Sequence, residues 1–316
     1  MHAIGIDMSK RSFHAAFGSE TIREFKNDSD GFALFLEAAK SLGHHQQETT
    51  IGVEATGAYH LAFCAALTKQ GWRTVIMNPL ESHRFALSQS IRNVKNDRKD
   101  AELVRRMVLL GRGCPFRDTD ETIALKSLVA EREALVSMRR ILKQRAEAST
   151  ARQQAVTKAL HDSSAPILKV LSKEIRTIER RFGGHAPDIQ RLLQTIPGIG
   201  IVAAATLVAY VGDINWFPSP EKLTAFIGLD CRTFESGTSI KGKGYISKKG
   251  NGNLRKALWN SAFIARRKNP DLKSYFEKKI GEGKHYCVAL CAVERKLVHL
   301  IYAVWKRGTP FENRCA

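Results

Sequence analysis

The stretch from Asp118 to Phe182 constrains the fold most, because it is long, charged and rich in helix-favouring residues. Leu128, Leu135 and Leu142 lie seven residues apart, which is the spacing of a coiled-coil seam. A second apolar run alternates spacings of three and four residues and consists of Leu168, Leu171, Ile175, Ile178 and Phe182. "DSSAP" separates the two runs, and its proline favours a break between two helices. The pattern predicts an antiparallel coiled-coil hairpin over residues 118–186, with one domain on either side.

The first region, residues 1–117, alternates between strand-like and helix-like segments. "HAIGID" and "SFHAAFG" are typical of two strands around the tight turn "MSKR", and "TTIGVEATG" and "RTVIMNP" are typical of two more. "AYHLAFCAALTKQG" and "DRKDAELVRRMVLLG" have helical periodicity, and the breakers "GRGCP" follow the second helix. A strand hairpin followed by strands joined through helices predicts a mixed α/β sheet.

The third region, residues 187–316, is mostly helical and contains one long loop rich in glycine and lysine. It begins with "TIPGIGIVAAATLVAYVG", which has the pattern of a helix-hairpin-helix. In such a hairpin, Gly198 and Gly200 would let the backbone approach a phosphate whose charge is favoured at the next helix N-terminus. A plain turn between two helices, with glycine as the C-cap, explains the same pattern.

The charge of the chain indicates a polyanionic partner. Lys and Arg number 50 against 31 Asp and Glu, so the formal net charge is +19, which favours nucleic acid first and anionic lipid second. We expect no membrane association, because the apolar run "IVAAATLVAYVG" is too short to span a bilayer. A secretory signal needs an apolar core, and Asp7 lies where that core would be, so we expect no secretory signal. Six scattered cysteines predict free thiols in a reducing, cytoplasmic setting.

Four carboxylates fall at the ends of predicted elements. Asp7 ends the first strand, Glu54 ends the third strand of the prediction, and Asp97 and Asp100 share one face of a helix. Convergent carboxylates repel one another unless cations neutralise them, and hard oxygen ligands select Mg²⁺, with Mn²⁺ as the alternative. Such ions can assist in-line attack on a phosphodiester. The simpler alternative is a helix cap at Asp97 and ordinary surface charges elsewhere.

The glycine- and lysine-rich loop contains the candidate nucleophile. Its cations, which suit a loop that wraps phosphates, are Arg232, Lys241, Lys243, Lys248, Lys249, Arg255 and Lys256. They would stabilise the negative charge of a phosphorane and activate a hydroxyl in "FESGTS". By residue type alone Ser236, Thr238 and Ser239 are equivalent, and a hydroxyl that only makes a local turn bond remains an alternative.

Two groups of motifs resemble the transposases of the IS110 family, relatives of the Piv invertase. "IGIDMSK", "GVEATG" and "NDRKDAELVRR" resemble the Asp-Glu-Asp-Asp (DEDD) signature of its N-terminal domain, and "RTFESG" with "SKKGNGNLRKAL" resembles its C-terminal transposase domain. The resemblance covers the whole chain in the same domain order. It implies a RuvC-like ribonuclease H fold, Mg²⁺ bound by Asp7, Glu54, Asp97 and Asp100, and a phosphoserine link at Ser236. Cys231 replaces the proline that is common before Arg232 in the family.

The implied activity is that of a DNA transposase or recombinase of a mobile element. It would exchange strands of donor and target DNA through the phosphoserine, guided by a non-coding bridge RNA. Covering two DNA duplexes requires several active sites, so we expect a homo-oligomer, a dimer or tetramer, with the hairpin as its assembly device. We expect the protein in the bacterial cytoplasm, near the nucleoid. Two rival hypotheses are a metal-dependent junction nuclease without a serine nucleophile and a non-enzymatic DNA-binding regulator.

Two further clusters favour structural interpretations. His285, Cys287 and Cys291 lack a fourth ligand at zinc spacing, so we expect the thiols on the apolar face of a helix. Three tryptophans lie in apolar helical segments, which predicts core packing rather than base stacking. They are Trp216, Trp259 and Trp305.

Overall fold

The computed structural model describes residues 2–55, 59–89, 97–150, 154–232, 235–236, 240–241 and 245–312. Its internal contacts divide the chain into two compact units, residues 1–120 and 121–316. The first unit is a sheet with helices and the second is almost entirely helical. The finer division into domains at residues 117 and 186 stays a prediction.

The first unit contains a mixed six-stranded sheet, which confirms the predicted class. Its strands are β1 (His2–Met8), β2 (Ser12–Ala16), β3 (Ile22–Lys26), β4 (Thr49–Glu54), β5 (Arg73–Met77) and β6 (Cys114–Pro115). Their order in the sheet is β3-β2-β1-β4-β5-β6. β1, β4 and β5 are parallel, while β2, β3 and β6 pair antiparallel with their neighbours.

Helices cover the two faces of this sheet. They are α1 (Ser29–Ser41), α2 (His60–Lys69), α3 (Pro79–Gln89) and α4 (Asp97–Leu109). On one face the buried ring of Phe13 packs against Phe35 of α1 and Phe63 of α2, with centroids 5.7 and 4.8 Å away. On the other face α4 crosses β1 so closely that a Cβ on Gly5 would lie 2.1 Å from the carbonyl oxygen of Ala101. The central strands are therefore buried on both sides.

The predicted strands and helices of this unit are present, but four elements lie outside the prediction. β3 is mostly exposed and has no alternation of apolar residues, and β6 is only two residues long inside the predicted breaker "GRGCP". The helices α1 and α3 were also not predicted. Edge strands of this kind are fixed by pairing with β2 and β5 rather than by their own pattern.

The second unit begins with the predicted antiparallel hairpin, formed by α5 (Asp120–Thr150) and α6 (Gln154–Phe182). Arg132 Nε contacts Glu179 Oε1 at 2.6 Å, and farther along α5 Arg139 Nη1 donates to Ser172 Oγ at 3.5 Å. The two helices therefore run antiparallel. Near the core the apolar seam is buried at Leu128, Ile175, Ile178 and Phe182.

The predicted break at "DSSAP" is wrong, because α6 continues through Pro166. A proline inside a helix removes one backbone hydrogen bond and costs about 3 kcal/mol. α6 is buried on both sides of Pro166, at Ser164 (8% exposed) and Ile175 (3% exposed), so packing continues across the proline and favours an unbroken helix over a second loop. The two helices are instead separated between Thr150 and Gln154.

The remaining helices surround one apolar core. They are α7 (Pro187–Gln194), α8 (Ile201–Val211), a 3₁₀ turn (Ile214–Trp216), α9 (Pro220–Ile227), α10 (Gly252–Lys268), α11 (Pro270–Gly281) and α12 (Tyr286–Arg307). Trp305 is buried in this core, and Trp216 and Trp259 pack against it, so the predicted structural role of the tryptophans is confirmed. Within the described ranges, no helix is both long and apolar enough to cross a membrane.

Four two-residue strands connect α9 to α10. They are β7 (Cys231–Arg232), β8 (Glu235–Ser236), β9 (Ile240–Lys241) and β10 (Tyr245–Ile246). β7 pairs with β10 and β8 pairs with β9, in both cases antiparallel. The glycine- and lysine-rich loop is thus a pair of short ribbons.

Candidate active site

Glu54 ends β4 and Asp7 is the residue before the end of the adjacent parallel strand β1, and both lie on the same face of the sheet. The register pairs Ile6 with Val53, so Asp7 and Glu54 are the next residues along β1 and β4. Gly5 and Gly52 face α4, and side chains two residues apart on a strand point to the same side. Both half-buried carboxylates therefore project towards the α4 side.

The helix α4 brings Asp100 towards the same edge of the sheet. Ala3, near the start of β1, clusters with Val104 and Val108 from the later turns of α4, whereas Gly5 lies against Ala101. α4 therefore runs opposite to β1, and its first turn lies at the edge where β1 ends. Asp97 and Asp100 belong to this first turn.

Asp100 is half-buried, and only the backbone of Asp97 is described. In the described part of the chain, no group of three or more His, Cys, Asp or Glu side chains is placed to hold a metal ion. Carboxylate oxygens are the ligands that Mg²⁺ prefers, but Asp7, Glu54 and Asp100, all described with their side chains, do not form such a group in this structure. Their role as ligands stays a prediction.

A carboxylate that the sequence analysis missed reinforces α4. Glu102 is only 9% exposed, accepts hydrogen bonds from Arg105 at 2.6 and 2.9 Å, and accepts one from Arg106 at 3.1 Å. Burial alone would raise the pKa of Glu102, but the hydrogen bonds from Arg105 and Arg106 outweigh it and lower that pKa. The backbone of Arg105 also packs closely against β1, because a Cβ added to Gly5 would lie only 2.2 Å from Arg105 N. This cluster stiffens the helix that carries Asp100.

Ser236 lies in the outer of the two ribbons. Its backbone pairs with Ile240, and Glu235 pairs with Lys241. The inner ribbon pairs Cys231 with Ile246. Thr238, Ser239 and Lys243 lie outside the described residues, and for Ser236, Arg232 and Lys241 only the backbone is described.

The base of the inner ribbon is closed by polar and backbone contacts. The hydroxyl of buried Ser247 donates a short hydrogen bond to the carboxylate of Asp230, and Ser247 N donates to Asp230 O at 2.8 Å. Gly228 adopts φ +84°, and Lys248 N donates to its carbonyl oxygen at 3.1 Å. A Cβ on Gly250 would lie 2.1 Å from Phe226 O, so the two ends of the loop touch.

Arg255 joins the same two loop ends with one nitrogen. Its Nη1 donates to Ile227 O at 2.9 Å and to Gly250 O at 2.7 Å. The sequence predicts Arg255 as a nucleic-acid contact, and that role stays a prediction. The geometry shows instead that the guanidinium is engaged within the chain.

The other predicted phosphate contacts differ in their availability. Lys248 and Lys249 are exposed, and neither makes an ion pair within the described ranges. Lys256 forms an ion pair with Glu133 of α5. Among the loop cations with described side chains, Lys248 and Lys249 are therefore the two that are exposed and make no ion pair with a described residue.

A buried acid lies beneath this base. Glu294 of α12 is 2% exposed, and its Oε1 is buried without a hydrogen-bond partner among the described residues. Burial raises the pKa of Glu294 to about 8, against the opposing charge of Arg255. Neighbouring Cys291 has its pKa raised to about 11, mainly by burial. Arg295 Nη1 contacts Cys231 Sγ at 3.3 Å and so links α12 to the inner ribbon.

α7 and α8 occupy the place of the predicted helix-hairpin-helix, and the two glycines between them lie in different surroundings. Gly198 has φ +100°, and a Cβ there would lie 2.7 Å from the Cβ of Ala265 in α10. Gly200, the N-cap of α8, has φ −96° and no atom within 4 Å of a built Cβ. Of these two glycines, Gly200 alone leaves open space at the N-terminus of α8.

The histidine–cysteine cluster has no zinc-like arrangement among the described residues. Cys291 packs against the core, as predicted, but Cys287 is exposed, so the prediction of an apolar position for both thiols is wrong. Cys287 lies in the first turn of α12, ahead of the buried stripe of that helix. Free thiols are confirmed for Cys64, Cys114, Cys231, Cys287 and Cys291.

Comparison with known proteins gives matches in both units. A family model described as "Transposase IS116/IS110/IS902 family" matches residues 190–277, and a DEDD model of IS110 proteins, described as "Transposase", matches residues 4–150. The "Pilin gene-inverting protein" of Moraxella lacunata is 29% identical over 327 residues, which covers 98% of either chain. The "Transposase for insertion sequence element IS1111A" of Coxiella burnetii is 29% identical over 259 residues, 71% of this chain and 70% of that protein.

Proposed function

Because the chain belongs to the IS116/IS110/IS902 family of transposases, we propose that it cleaves and exchanges DNA strands through a covalent phosphoserine at Ser236. Its mixed sheet is a ribonuclease H-like DEDD domain, followed by a mostly helical C-terminal region. The observation that supports the serine assignment is its position in the loop between α9 and α10, whose two ends are held together by Asp230, Ser247 and Arg255.

In the proposed reaction, Ser236 Oγ attacks the phosphorus of a DNA phosphodiester. The new O–P bond replaces the bond to the 3′-oxygen, which leaves as a hydroxyl after taking a proton, while the serine proton passes to a base. In the second step, which is the reverse of the first, the 3′-hydroxyl of a partner strand attacks the phosphoserine and releases the serine. Exposed Lys248 and Lys249 place positive charge on the same loop, where it would favour the charge of the phosphorane.

The four acidic residues are proposed to bind a divalent cation. Asp7 and Glu54 would supply carboxylate oxygens from the strand ends, and Asp97 and Asp100 would supply them from the first turn of α4. Bound Mg²⁺ would stabilise negative charge on the reacting phosphate oxygens. The cluster of Glu102, Arg105 and Arg106 would keep α4 in place while the acids adjust to the ion.

The partners proposed are donor and target DNA and a guiding bridge RNA. The net charge of +19 favours polyanions and agrees with either nucleic acid. Gly200, open at the N-terminus of α8, supports one phosphate contact of the helix-hairpin-helix. We place the protein in the bacterial cytoplasm, associated with the nucleoid.

A homo-oligomer is proposed because the hairpin exposes an apolar face. Met138 and Ile141 of α5 and Ile167 and Val170 of α6 are 45–58% exposed. Met138 and Ile141 are three residues apart and share one face of α5, and Ile167 and Val170 likewise share one face of α6. A second copy packed there would bury apolar surface that is otherwise exposed to water, and recombination of two duplexes requires more than one serine.

The deciding experiment is a search for the covalent intermediate. Full-length protein would be incubated with element-end DNA, the flanking transcript and Mg²⁺, and DNA that gains a protease-sensitive adduct would be resolved on denaturing gels. Ser236→Ala should abolish the adduct, while Thr238→Ala and Ser239→Ala should keep it. Cleavage by Ser236→Ala would favour the junction nuclease, and recombination that survives Asp7→Ala would favour the non-enzymatic regulator.

A further inference from the structure

Three helices of the second unit converge on one cation, the guanidinium of Arg266. Its Cζ lies 4.9 Å from the ring centroid of Phe263 in α10, 4.8 Å from Phe276 in α11 and 5.4 Å from Tyr286 in α12. Phe276 and Tyr286 also meet edge to face at 5.4 Å. Because the rings come from three different helices, the packing of α10, α11 and α12 holds this guanidinium in place.

The guanidinium is buried on one side and open on the other. Its Nε is buried without a hydrogen-bond partner among the described residues. Nη1 and Nη2 are not among the buried unpartnered atoms and make no hydrogen bond within the described ranges, so the outer edge of Arg266 faces solvent. That edge presents two N–H groups side by side, an arrangement that suits phosphate.

The charge around Arg266 is not neutralised by nearby acids. Arg267, whose Cζ lies 4.5 Å from the Phe263 ring, and Lys268 are exposed, and neither has an ion pair among the described residues. On α11, Glu277 pairs with Lys273 at 4.0 Å, and the following Glu282 pairs with Lys279 at 2.7 Å. Asp271, in the first turn of α11, is the nearest acid in sequence to this cationic turn.

Aromatic surface is exposed beside these cations. Phe263 and Tyr286 are each 38% exposed, although each already contacts a guanidinium. A purely apolar partner would leave the cations of α10 desolvated and unpaired. A second copy of a chain with net charge +19 would bring further positive charge. The surface fits a partner that has both planar apolar faces and negative charge.

We infer that Phe263, Arg266, Arg267 and Tyr286, here called the arginine–aromatic cluster, bind single-stranded nucleic acid. Phosphates contact the outer edges of the two guanidiniums, and an unpaired base stacks on exposed aromatic surface. Duplex DNA offers the phosphates but hides its base faces in the stack. The inference rests on the proposed function only in taking nucleic acid as the partner.

The test measures binding of labelled oligonucleotides to full-length protein by fluorescence anisotropy. The probes are single-stranded DNA, single-stranded RNA of the same sequence, and a DNA duplex with the same number of phosphates. The variants are Phe263→Leu with Tyr286→Leu, which keeps apolar volume but removes the stacking faces, and Arg266→Lys, which keeps charge but loses the planar edge. The control is Lys273→Gln, a charge removed from a residue already paired with Glu277.

The double leucine variant should weaken single-strand binding by about tenfold or more, the range expected for the loss of base stacking. Duplex binding should change by less than about twofold, and Arg266→Lys should lie between the double variant and wild type. The relative loss on DNA and RNA identifies which strand type this cluster prefers. Both rings are 38% exposed, and thermal unfolding of each variant verifies the fold.

Three outcomes overturn the inference. Equal losses on single strands and duplex mean a general phosphate contact, and unchanged binding means that no nucleic acid occupies this surface. A change of oligomeric state in the double variant, measured by light scattering, assigns the surface to a second copy. Binding is measured in a Ser236→Ala background, so a failure of the phosphoserine proposal leaves this result intact.

Discussion

Arg255 donates hydrogen bonds from Nη1 to Gly250 O and to Ile227 O, at 2.7 and 2.9 Å, and so ties together the two ends of the loop that contains Ser236. Ile227 ends α9, and Gly250 lies just before α10. One half-buried guanidinium thus sets the separation of the two helices from which the ribbons project. An arginine engaged in this way orients the loop through its backbone.

This arrangement predicts that Arg255 affects chemistry and stability more than DNA affinity. Arg255→Gln leaves two carbonyl oxygens without their donor and should lower the free energy of unfolding by about 1–3 kcal/mol. The yield of covalent adduct should fall, whereas DNA affinity should stay within about twofold, the change expected if few phosphates are lost. Chemical denaturation, adduct gels and anisotropy measure the three quantities.

Lys248→Gln is the matched control, since Lys248 is exposed and has no ion pair within the described part. Its stability should be unchanged, and its DNA affinity and the salt dependence of that affinity should fall. If Arg255→Gln weakens DNA binding as much as Lys248→Gln does, Arg255 contacts nucleic acid after all.

Gly5 gives a second prediction, about the helix that carries Asp97 and Asp100. A Cβ at Gly5 would lie 2.1 Å from Ala101 O and 2.2 Å from Arg105 N, both backbone atoms that move only if α4 moves. Gly5→Ala should lower the free energy of unfolding by about 2 kcal/mol or more and reduce Mg²⁺-dependent cleavage. Gly18→Ala, with no atom within 4 Å of the new Cβ, is the control. Equal unfolding midpoints for the two variants would show that α4 does not cross β1 this closely.

Much of the acidic site follows from the sequence, because strand ends and helix starts are local features. A parallel sheet brings Asp7 and Glu54 to one edge once β1 and β4 are neighbours, and strand parity puts both on one face. Asp97 and Asp100 lie near the same edge because they belong to the first turn of α4. The sequence does not predict the buried Glu102 cluster, because a Glu-x-x-Arg spacing is common on exposed helices.

The base of the Ser236 loop is harder to predict, because its contacts join residues distant in sequence. Arg255 reads as one more cation of a basic loop until the carbonyl of Ile227 is placed beside it. Glu294 looks like an ordinary charge in "AVERKL", and only the packing of α12 reveals that it is buried. Pro166 predicts a break that is absent, because packing along α6 outweighs the local preference of a proline to end a helix.

Glu294 gives a prediction about pH. Its pKa is raised to about 8 in the folded protein by burial, whereas an unfolded glutamate titrates near about 4.3. Between these values unfolding releases a proton, so the free energy of unfolding falls as pH rises from about 4.5 to 8 and levels off above. Glu294→Met should remove this part of the pH dependence and raise stability at pH 8 by about 2–4 kcal/mol.

Urea unfolding at several pH values measures the effect of Glu294. The control is Glu277→Gln, at an exposed residue, and its free energy of unfolding should depend on pH as in wild type. A wild-type protein whose stability does not fall between about pH 5 and 8 relative to Glu294→Met would mean that Glu294 is ionised in the fold.

The two glycines of the hairpin between α7 and α8 separate folding from phosphate binding. Gly198→Ala places a Cβ 2.7 Å from Ala265 Cβ at φ +100°, so it should destabilise the fold by about 2 kcal/mol or more. Gly200 is an open N-cap, where Asp and Asn are both favoured, so both Gly200→Asp and Gly200→Asn should fold normally. If a DNA phosphate approaches this helix end, the charge of Gly200→Asp should weaken binding by about fivefold or more at low salt, and neutral Gly200→Asn should not. Equal affinities of the two variants in anisotropy titrations would make the hairpin a plain turn between two helices.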